Sequence, residues 1–510
     1  MYKLGITDKL WLLLYDWFID STCTVLLNGY LSEEFSITRS IKQGGVLSMY
    51  MFCIYFNDIH RFVDETQQLG LKYNEVYIGS PAFADDILLL SNSKSKLDSM
   101  MQNVLSYSSM WKLNFSRTKS KCMVFGETKN ENIRNMKNRL FHFGDTVLEE
   151  VSTYTPVGIS LCSYMSSVER TKHMCNKAWK LMAQMTQIGV RDSGFLPTVS
   201  LSLWRKLVLP SILHGCELWF NLTKTEIAML EKTQCKILKL IQGFPKRTHN
   251  EVVRGMIGQN SILSCINERK MSFLQRLVVQ NVNELSKIVF VTQLYNCLLG
   301  TIKNTQSGYT AEIIEITKIY NVHTYLMRYA TGGMFPNKKT WKCIVKEHIA
   351  EQDFTSNIDR LLKKNDVKRY VRIYNGQHHL FYDIMTRYPQ CKKELMAMVK
   401  VFVIPETYQT IAHCRMCMKR YEDPVQHAIV ECTAQNVYRD ILWDKIIGFL
   451  DVTSSVNLFN RDDDDFVDIL FGKQWDELET HQQHLFYCNI AGAIQPLVKT
   501  VPKNVNWFRC

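Results

Sequence analysis

The sequence predicts an α+β protein that becomes largely helical after about residue 160. Three observations support this fold class. Two adjacent aspartates stand between the short apolar runs 81–84 and 87–90, which is typical of two strands joined by a tight turn. Apolar residues recur at three- and four-residue steps on both sides of this hairpin, which indicates helices packed against a sheet. Beyond residue 160 helical spacing dominates, apart from one short stretch that holds the chain's C-x-x-C pair.

The composition is that of a folded protein with several domains. The chain has 510 residues, of which 46% are hydrophobic and 22% are charged, so it can bury sizeable cores. Its formal net charge of +12 favours a polyanionic partner, and nucleic acid is the leading candidate. The sixteen cysteines are scattered singly except for one C-x-x-C, which favours reduced thiols in an intracellular protein.

The start of the chain carries no recognisable targeting signal. The sequence runs from Met1 straight into folded-looking residues, and the apolar run 10–15 is too short for a signal peptide. No segment approaches the ~18 apolar residues that a membrane span needs. We therefore expect an intracellular protein, in the nucleus and cytoplasm, without a membrane partner. The sequence leaves its oligomeric state open.

The first elements are a helix and a hairpin. Apolar residues at helical spacing predict a helix over 8–20, and an apolar strand over 24–30 breaks at the Asn28-Gly29 turn. A second strand over 35–41 would complete the hairpin.

A glycine pair follows in the stretch 39–48. Gly44 and Gly45 allow backbone to approach a ligand closely, and Ser48 is placed to cap a helix from Met49 to about Ile59. Arg39 suits a phosphate and Gln43 suits the edge of a base or sugar. The alternative is a plain loop before a core helix.

The paired aspartates Asp85 and Asp86 are the central feature of the chain. Two carboxylates about 5 Å apart repel by roughly 3 kcal/mol at an effective dielectric near 20, so a partly buried pair recruits a cation or a proton. The functional interpretation is a hairpin tip that holds a divalent metal. The alternative is an ordinary turn with two solvated carboxylates.

A helix and a strand come after the hairpin. The residues Leu97, Met101, Val104, Ser108 and Trp111 predict a helix packed on the sheet that carries Asp85. The segment 119–126 then brings Lys119 and Lys121 into an apolar strand.

These motifs, in this order and spacing, resemble the later palm motifs of reverse transcriptases from non-long-terminal-repeat (LINE-type) retrotransposons. The residues that carry the resemblance are Arg39, the run Gln43-Gly44-Gly45-Val46-Leu47-Ser48, Phe83-Ala84-Asp85-Asp86, Trp111–Phe115 and Lys119-Ser120-Lys121. Tyr154-Thr155-Pro156-Val157-Gly158-Ile159 is similar to the family's Y-x-x-L-G-[IV] hairpin, which grips the primer. His214–Trp219 is similar to its Y-G-C-E-L-W thumb segment, with His214 in place of the usual tyrosine. The resemblance extends from residue 1 to about 435.

The resemblance implies roles for particular residues. Asp85 and Asp86 would help to hold two Mg²⁺ ions that position a DNA primer and a deoxynucleotide triphosphate on an RNA template. Gln43, Gly44 and Gly45, with Arg39 beside them, would line the template and nucleotide pocket. Lys119 would lie near the pyrophosphate as a charge neutraliser or proton donor.

One part of the family's metal site has no counterpart here. The first metal-binding aspartate of these enzymes lies on an earlier palm strand, shortly before a stretch that resembles Leu4-Gly5-Ile6, and this sequence begins after that strand. Asp8, Asp16 and Asp20 offer no substitute, because the resemblance places them on the following helix. We therefore expect a truncated and incapacitated polymerase site.

The helical part carries a basic stripe. In the segment 230–243, Leu230, Ile237 and Ile241 share one helical face, and the opposite face carries the basic residues Lys232, Lys236 and Lys239. Lys246 and Arg247 add positive charge after the helix. The stripe suits a thumb helix lying along duplex phosphates, and the alternative is a solvated face. Basic patches at Lys338-Lys339 and from Lys363 to Arg372 receive no specific function.

The other specific signal is a cysteine and histidine cluster. Its members, at the spacing C-x2-C-x9-H-x4-C, are Cys414, Cys417, His427 and Cys432. Three thiolates and one imidazole suit a closed, structural Zn²⁺ site, or zinc knuckle. His413 is a rival ligand, and the alternative is a set of buried small hydrophobic residues. The acidic run 462–465 is interpreted as a helix N-terminus or a solvated loop and not as a metal site.

The sequence therefore predicts an RNA-directed DNA polymerase domain that lacks part of its active site. The alternative is a non-catalytic nucleic-acid-binding protein that uses the basic helix and the zinc knuckle. The predicted organisation is a partial palm (1–160), a helical thumb (161–250), a helical basic region (251–400), a zinc-knuckle module (401–440) and a helical tail (441–510).

Overall fold

Two compact units make up the fold in a computed structural model of the chain. The model describes residues 5–37, 44–136, 139–159, 161–163, 167–300, 308–364, 367–403, 412–414 and 416–499. One unit is formed from residues 1–156 and 160–164, and the other from residues 157–159 and 165–510. Together they give the predicted α+β class, with strands concentrated in the first unit and helices in the second.

The first unit mixes short strands with helices. Its helices are α1 (Asp8–Phe18), α2 (Ser48–Tyr55), α3 (Ile59–Val63), α4 (Lys94–Met110) and α5 (Lys129–Met136). Its strands are β1 (Thr22–Cys23), β2 (Leu26–Leu27), β3 (Tyr30–Leu31), β4 (Phe35–Ser36), β5 (Lys72–Tyr73), β6 (Val76–Tyr77), β7 (Ala82–Phe83), β8 (Asp86–Ile87), β9 (Lys121–Cys122), β10 (Phe141–Phe143), β11 (Thr146–Glu150), β12 (Thr153–Tyr154) and β13 (Leu161–Cys162).

Most strand pairs in this unit are antiparallel hairpins. Strands β2 and β3 pair across the Asn28-Gly29 turn, and β1 pairs with β4 outside them, so the predicted hairpin is one interrupted ladder. The remaining antiparallel pairs are β5–β6, β7–β8, β10–β11 and β12–β13. Strand β9 runs parallel to β11. The return strand of the first hairpin begins at Tyr30, earlier than predicted, because the glycine turn is only two residues long.

The core of the first unit lies under α4. Ser93 caps this helix by accepting a hydrogen bond from the Lys96 amide at 3.3 Å. Its buried residues Met101 and Val104 lie on the predicted stripe, and Ile87 and Leu89 of the aspartate hairpin pack against the same core cluster. Helix α4 and the strand that follows Asp85 therefore contribute to one core.

The second unit is a helical assembly. Its helices are α6 (Ser167–Gln187), α7 (Pro197–Leu203), α8 (Leu209–Ile212), α9 (Lys224–Gln242), α10 (Asn250–Ile257), α11 (Ile262–Val279), α12 (Leu285–Leu299), α13 (Tyr309–Ile319), α14 (His323–Ala330), α15 (Lys338–Leu362), α16 (Lys368–Ile373), α17 (Leu380–Arg387), α18 (Lys392–Phe402), α19 (Pro424–Gln426), α20 (Asn436–Phe449), α21 (Val452–Phe459), α22 (Asp463–Leu470) and α23 (Thr480–Lys499). Strands β14 (Ala412–His413) and β15 (Arg420–Tyr421) form one hairpin, and five-residue π turns span Trp204–Val208 and His427–Glu431.

Two hydrophobic clusters hold the second unit together. The larger joins residues from α6–α10 with residues from α15–α23, and the smaller joins α11–α15 around Trp341. The acidic run begins α22, where Asp462 accepts a hydrogen bond from the Asp465 amide at 2.7 Å, so its interpretation as a helix N-terminus is confirmed. Within the described ranges, no helix is both long enough and apolar enough to cross a membrane.

Candidate active site and metal centre

The paired aspartates lie at the tip of the β7–β8 hairpin. Phe83 pairs with Asp86, so the connecting residues are Ala84 and Asp85, and the turn stands one residue earlier than the sequence predicted. The ladder continues outward through a hydrogen bond from the Leu88 amide to the Pro81 carbonyl at 2.9 Å. Both carboxylates are exposed, whereas Ile87 next to them packs on the core. The hairpin therefore presents two neighbouring carboxylates to solvent from an anchored strand.

The backbone before the two carboxylates is strained. Ala84 has a φ of 52°, in the left-handed region that costs a residue with a Cβ roughly 1 kcal/mol or more. Such strain persists where neighbouring structure imposes it, and it is common at ligand sites. The strained turn places Asp85 in the two-residue connection and Asp86 at the first position of β8.

The hairpin supplies only part of a two-metal site. A single Mg²⁺ is commonly held by one or two carboxylates together with water and substrate phosphates, and Asp85 with Asp86 fits that need. Two ions that share ligands require a further carboxylate. Among the residues described, no group of three or more His, Cys, Asp and Glu side chains that could hold a metal includes this hairpin. Within the described residues, the hairpin therefore offers a pair of carboxylates that fits one magnesium ion.

The other residues predicted for this site have different outcomes. Arg39 and Gln43 lie outside the described residues. Gly44 has a φ of 79°, which favours glycine, and Gly45 follows it in the loop before α2. Lys119 is exposed in the turn before β9.

The predicted cap at Ser48 is wrong. Helix α2 begins at Ser48 itself, and Leu47 occupies the capping position without a side-chain hydrogen bond. The helix also ends at Tyr55, and a separate helix, α3, begins at Ile59.

The two later family-like segments contact each other within the second unit. Strands β12 and β13 flank a 3₁₀ turn at Pro156–Gly158, where Val157 has a φ of 50° and Gly158 a φ of 76°. His214 Nε2 donates to the Val157 carbonyl at 3.2 Å. A Cβ at Gly158 would lie 3.3 Å from that same nitrogen, so glycine allows the histidine to approach. His214 thereby holds the turn through its ring.

The basic stripe lies on α9, which begins at Lys224 with a capping box formed by Thr223 and Glu226. Leu230, Ile237 and Ile241 are buried, as predicted. Lys232 and Lys236 are exposed, and so are Lys246 and Arg247 beyond the helix. Lys239 differs from the other two stripe lysines, because its ammonium donates to the Lys246 carbonyl at 2.9 Å and burial lowers its pKa.

The four residues of the cysteine and histidine cluster converge. One ligand atom from each of Cys414, Cys417, His427 and Cys432 lies within 4.8 Å of every other. The Cys414 and Cys432 sulfurs are 3.8 Å apart, and the Cys417 sulfur is 3.3 Å from His427 Nε2. Tetrahedral zinc with ordinary bond lengths separates two sulfurs by about 3.8 Å and a sulfur from a nitrogen by about 3.6 Å. The spacing of the donor atoms therefore fits Zn²⁺.

Two local backbone features bring these ligands together. On one side, the β14–β15 hairpin forms a knuckle in which the Cys414 amide donates to the Lys419 carbonyl at 2.9 Å and the Met418 amide to the Cys414 carbonyl at 2.8 Å. On the other side is the π turn. Residues five apart in an α-helix point about 140° away from each other. In the π turn the Cys432 amide instead donates to the His427 carbonyl at 2.7 Å, which brings both side chains to one side.

A carboxylate behind the histidine fixes its orientation. His427 is buried, its Nδ1 lies 3.1 Å from a Glu431 carboxylate oxygen, and the ring stacks on Tyr421 with centroids 5.0 Å apart. Because Nδ1 donates its proton to Glu431, Nε2 carries the lone pair that faces the cysteines. The sequence did not single out Glu431, although a carboxylate four residues after a helical ligand is the available signal.

Backbone amides and burial also shift the pKa values of two cysteine thiols in the cluster. Burial alone would raise the pKa of the Cys414 thiol, but amides of Cys417 and Met416 point at its sulfur and, with the His427 and Cys417 side chains, lower that pKa to about 6. Burial raises the pKa of Cys432 to about 11. A thiolate at Cys414 is the form that binds metal. His413, the rival ligand, belongs to β14, and its side chain is not among those that the structure describes.

Comparisons with known proteins bear on the part of the chain that carries the aspartate hairpin. Residues 4–161 match the family model described as reverse transcriptase (RNA-dependent DNA polymerase). Over 234 residues the chain is 24% identical to the retrovirus-related Pol polyprotein from the type-2 retrotransposable element R2DM of Drosophila melanogaster. That alignment covers 44% of this chain and 20% of the relative, so the match spans about a fifth of the relative's length.

The aspartate hairpin lies inside the matched region, and the chain therefore carries a reverse transcriptase domain. The similarity to the R2DM polyprotein supports the resemblance to reverse transcriptases of non-long-terminal-repeat retrotransposons that the sequence shows.

Proposed function

We propose that the chain is an RNA-directed DNA polymerase domain that binds an RNA template and a DNA primer but does not extend the primer by itself. The observation that carries this proposal is the Asp85-Asp86 hairpin within the matched region, with no third carboxylate beside it among the described residues. A bound Mg²⁺ would supply charge neutralisation for deoxynucleotide phosphates. Asp85 and Asp86 would hold such an ion at the hairpin tip, and no further ligand for a second ion lies beside them among the described residues.

The finer assignments extend the proposal along the chain. Gly44 and Gly45 leave room for a template strand or nucleotide, and Lys119 offers a positive charge near the leaving phosphate. Lys232, Lys236, Lys246 and Arg247 contact nucleic-acid phosphates from α9 and the loop after it. The turn at residues 157–159, which His214 holds, belongs to the hairpin that grips the primer.

Metal-directed cleavage of the backbone tests the site at the hairpin. With added hydrogen peroxide and ascorbate, Fe²⁺ bound in place of Mg²⁺ reduces the peroxide to hydroxide and a hydroxyl radical, and ascorbate returns the iron to Fe²⁺. We therefore expect peptide cuts within a few residues of Asp85 that excess Mg²⁺ suppresses. The variant Asp85→Asn/Asp86→Asn should lose these cuts, while Glu33→Gln/Glu34→Gln, which removes two exposed neighbouring carboxylates elsewhere in the unit, should keep them. A wild-type chain that shows no cut there refutes a metal at the hairpin.

A second candidate function is nucleic-acid binding without a polymerase metal site. The exposed lysines of α9 and the converging Cys/His cluster favour it. Loss of cleavage at the hairpin together with retained binding of a primer–template duplex would select this candidate over the first.

The Cys/His cluster is assigned as a structural zinc knuckle. It has four protein ligands and no open position, so zinc there supplies local folding energy and no catalysis. Purified protein should carry one zinc ion per chain. Cys417→Ser should lose the ion and the hydrogen-exchange protection of residues 416–435, whereas Cys343→Ser, which removes an exposed cysteine on α15, should retain both. Full protection in a zinc-free Cys417→Ser protein would contradict the assignment.

A further inference from the structure

Helix α15 is anchored by its buried side, which fixes the residues on its exposed side. The helix is 25 residues long, and Trp341, Val345 and Ile349 along one side are almost completely buried in the smaller hydrophobic cluster. The Trp341 indole also donates to the Met271 carbonyl at 2.8 Å. The position of each residue on the outer side is therefore set by a packed core.

Four exposed lysines occupy the first three turns of this helix. They are Lys338, Lys339, Lys342 and Lys346. At 100° and 1.5 Å per residue, they fall within an arc of about 100° and a length of about 12 Å. We call this group the α15 lysine row. Four ammonium groups so close together repel one another, and a polyanion relieves that repulsion.

Among the described residues, no ion pair neutralises the row. In the parts of the chain that the structure describes, none of the four ammonium groups has a carboxylate oxygen within 4.0 Å. The segment 308–349 has three carboxylates, and two of them are engaged elsewhere: Glu312 pairs with Lys270 at 2.7 Å and Glu315 pairs with Lys318 at 2.7 Å.

The position of the row in the helix makes this arrangement unfavourable for folding. Lys338 and Lys339 are the first two residues after the cap, Asn337, whose side chain accepts from the Thr340 amide at 3.0 Å. The helix dipole is positive at this end, so cations here destabilise the helix. The row therefore costs stability and gains no ion pair among the described residues.

The other basic patch noted in the sequence behaves differently. Lys364 pairs with Glu251 at 2.7 Å, and the buried Arg369 pairs with Asp468 at 2.8 Å and also with Asp423. Lys364 and Arg369 are therefore neutralised within the fold, whereas Lys363 and Lys368 of the same patch are exposed. Among the described residues, no cation of the α15 row is neutralised in this way, so the whole row is available to a partner outside the chain.

We infer that the α15 lysine row is a second nucleic-acid-binding surface, which contacts the phosphate backbone independently of base sequence. The inference rests in part on the proposed function, which makes nucleic acid the available polyanion. Lysine is a point charge that suits phosphates in many orientations, and the row offers no side chain placed to read a base edge. Binding there is therefore expected to be sensitive to salt and insensitive to sequence.

The experiment compares two quadruple variants by the salt dependence of duplex binding. The row variant is Lys338→Gln/Lys339→Gln/Lys342→Gln/Lys346→Gln. The control removes the same charge from four exposed and scattered lysines: Lys180→Gln/Lys224→Gln/Lys393→Gln/Lys445→Gln. Each lost phosphate contact lowers the slope of log K against log salt by about 1, so the row variant should lower it by 2 to 4. The control should change it by less than about 1.

The outcomes separate this inference from the proposed function. If the two variants have equal slopes, the row binds no phosphate and the inference is overturned, while wild-type binding still supports the proposed function. If the wild-type chain binds no nucleic acid, the proposed function itself fails. If the row variant loses binding only to phosphatidylserine vesicles, the partner is a membrane and the inference is wrong. A melting temperature of the row variant at or above the wild-type value excludes misfolding as the cause of weaker binding.

Discussion

At the scale of single residues, Glu431 orients a histidine of the proposed zinc site without being one of its ligands. Its carboxylate accepts from His427 Nδ1 at 3.1 Å and leaves Nε2 to face Cys417. Partners of this kind fix the tautomer and the ring orientation of a metal-binding histidine. Arg439 adds to the support by donating to the Cys432 carbonyl at 2.8 Å.

We therefore expect Glu431→Gln to weaken zinc binding about 10- to 100-fold, measured by competition with a chelator. Without zinc, the Glu431→Gln variant should be as stable as the zinc-free wild type. Co²⁺ bound to the variant should keep the absorption of a tetrahedral site with three sulfurs and one nitrogen. Glu422→Gln, an exposed neighbour in the same module, is the matched control and should bind normally. Equal affinity in the two variants would remove Glu431 from the site.

His379 makes a separate prediction about acid stability. It is buried, its Nε2 donates to the Phe471 carbonyl at 2.8 Å, and burial lowers its pKa to about 4. The unfolded chain has a histidine pKa near 6.5, so between about pH 6.5 and 4 the unfolded state binds more protons. Protonation of this one group should therefore lower the free energy of unfolding by up to ~3 kcal/mol as the pH falls through that window. Above the window, His379 should not change the stability with pH.

Unfolding free energies measured at several pH values would show this effect as a difference between proteins. His379→Gln should have a shallower slope from pH 6.5 to 4 than the wild type, even if its stability at pH 7 is lower. His378→Gln, a partly exposed neighbour that contacts Asp383, is the control. Parallel slopes for His379→Gln and wild type would mean that His379 is protonated equally in both states.

At the scale of elements, local sequence predicted more than the contacts between elements. The helix from Asp8, the turn at Asn28-Gly29, the aspartate hairpin and the buried face of α9 were all predicted, because each depends on residues within about one turn or one hairpin. The cysteine spacing also predicted a cluster that the fold does bring together.

The elements that were not predicted depend on distant partners or on unusual backbone. Arg369 was part of a basic patch in the sequence, but Asp468, 99 residues away, neutralises it in the interior. The π turn at His427–Glu431 cannot be told from an α-helix by apolar periodicity over five residues. Helix α2 begins at Ser48 without a capping side chain, so the capping rule that placed its start at Met49 does not apply here.

The exposed face of α9 provides the prediction at this scale. Lys232→Gln/Lys236→Gln should lower the salt slope of duplex binding by about 2, because each lysine contributes about one phosphate contact. Lys239→Gln should have a smaller effect, since its ammonium is already held by the Lys246 carbonyl. The control Lys180→Gln/Lys445→Gln removes the same charge from other exposed sites. Equal slopes for the first double variant and this control would make the stripe a solvated face.

At the scale of the whole molecule, the chain combines an aspartate hairpin in a region similar to reverse transcriptases with a helical unit that carries exposed lysines and a Cys/His cluster. The family match is confined to residues 4–161, and the described residues show a pair of carboxylates at the hairpin without a third. The five-part division into palm, thumb, basic region, knuckle and tail stays a prediction. In the proposed function, this chain holds primer and template but does not carry out synthesis.

Primer extension by the purified chain, on an RNA template with a labelled DNA primer, deoxynucleotides and Mg²⁺, tests that claim most directly. Binding of the same duplex is measured in parallel, so that a lack of synthesis is not mistaken for a lack of substrate. We predict a bound primer that stays at its original length over a wide range of Mg²⁺ concentration. Mg²⁺-dependent extension that Asp85→Ala abolishes would contradict the account, because it would show that the site in this chain is complete.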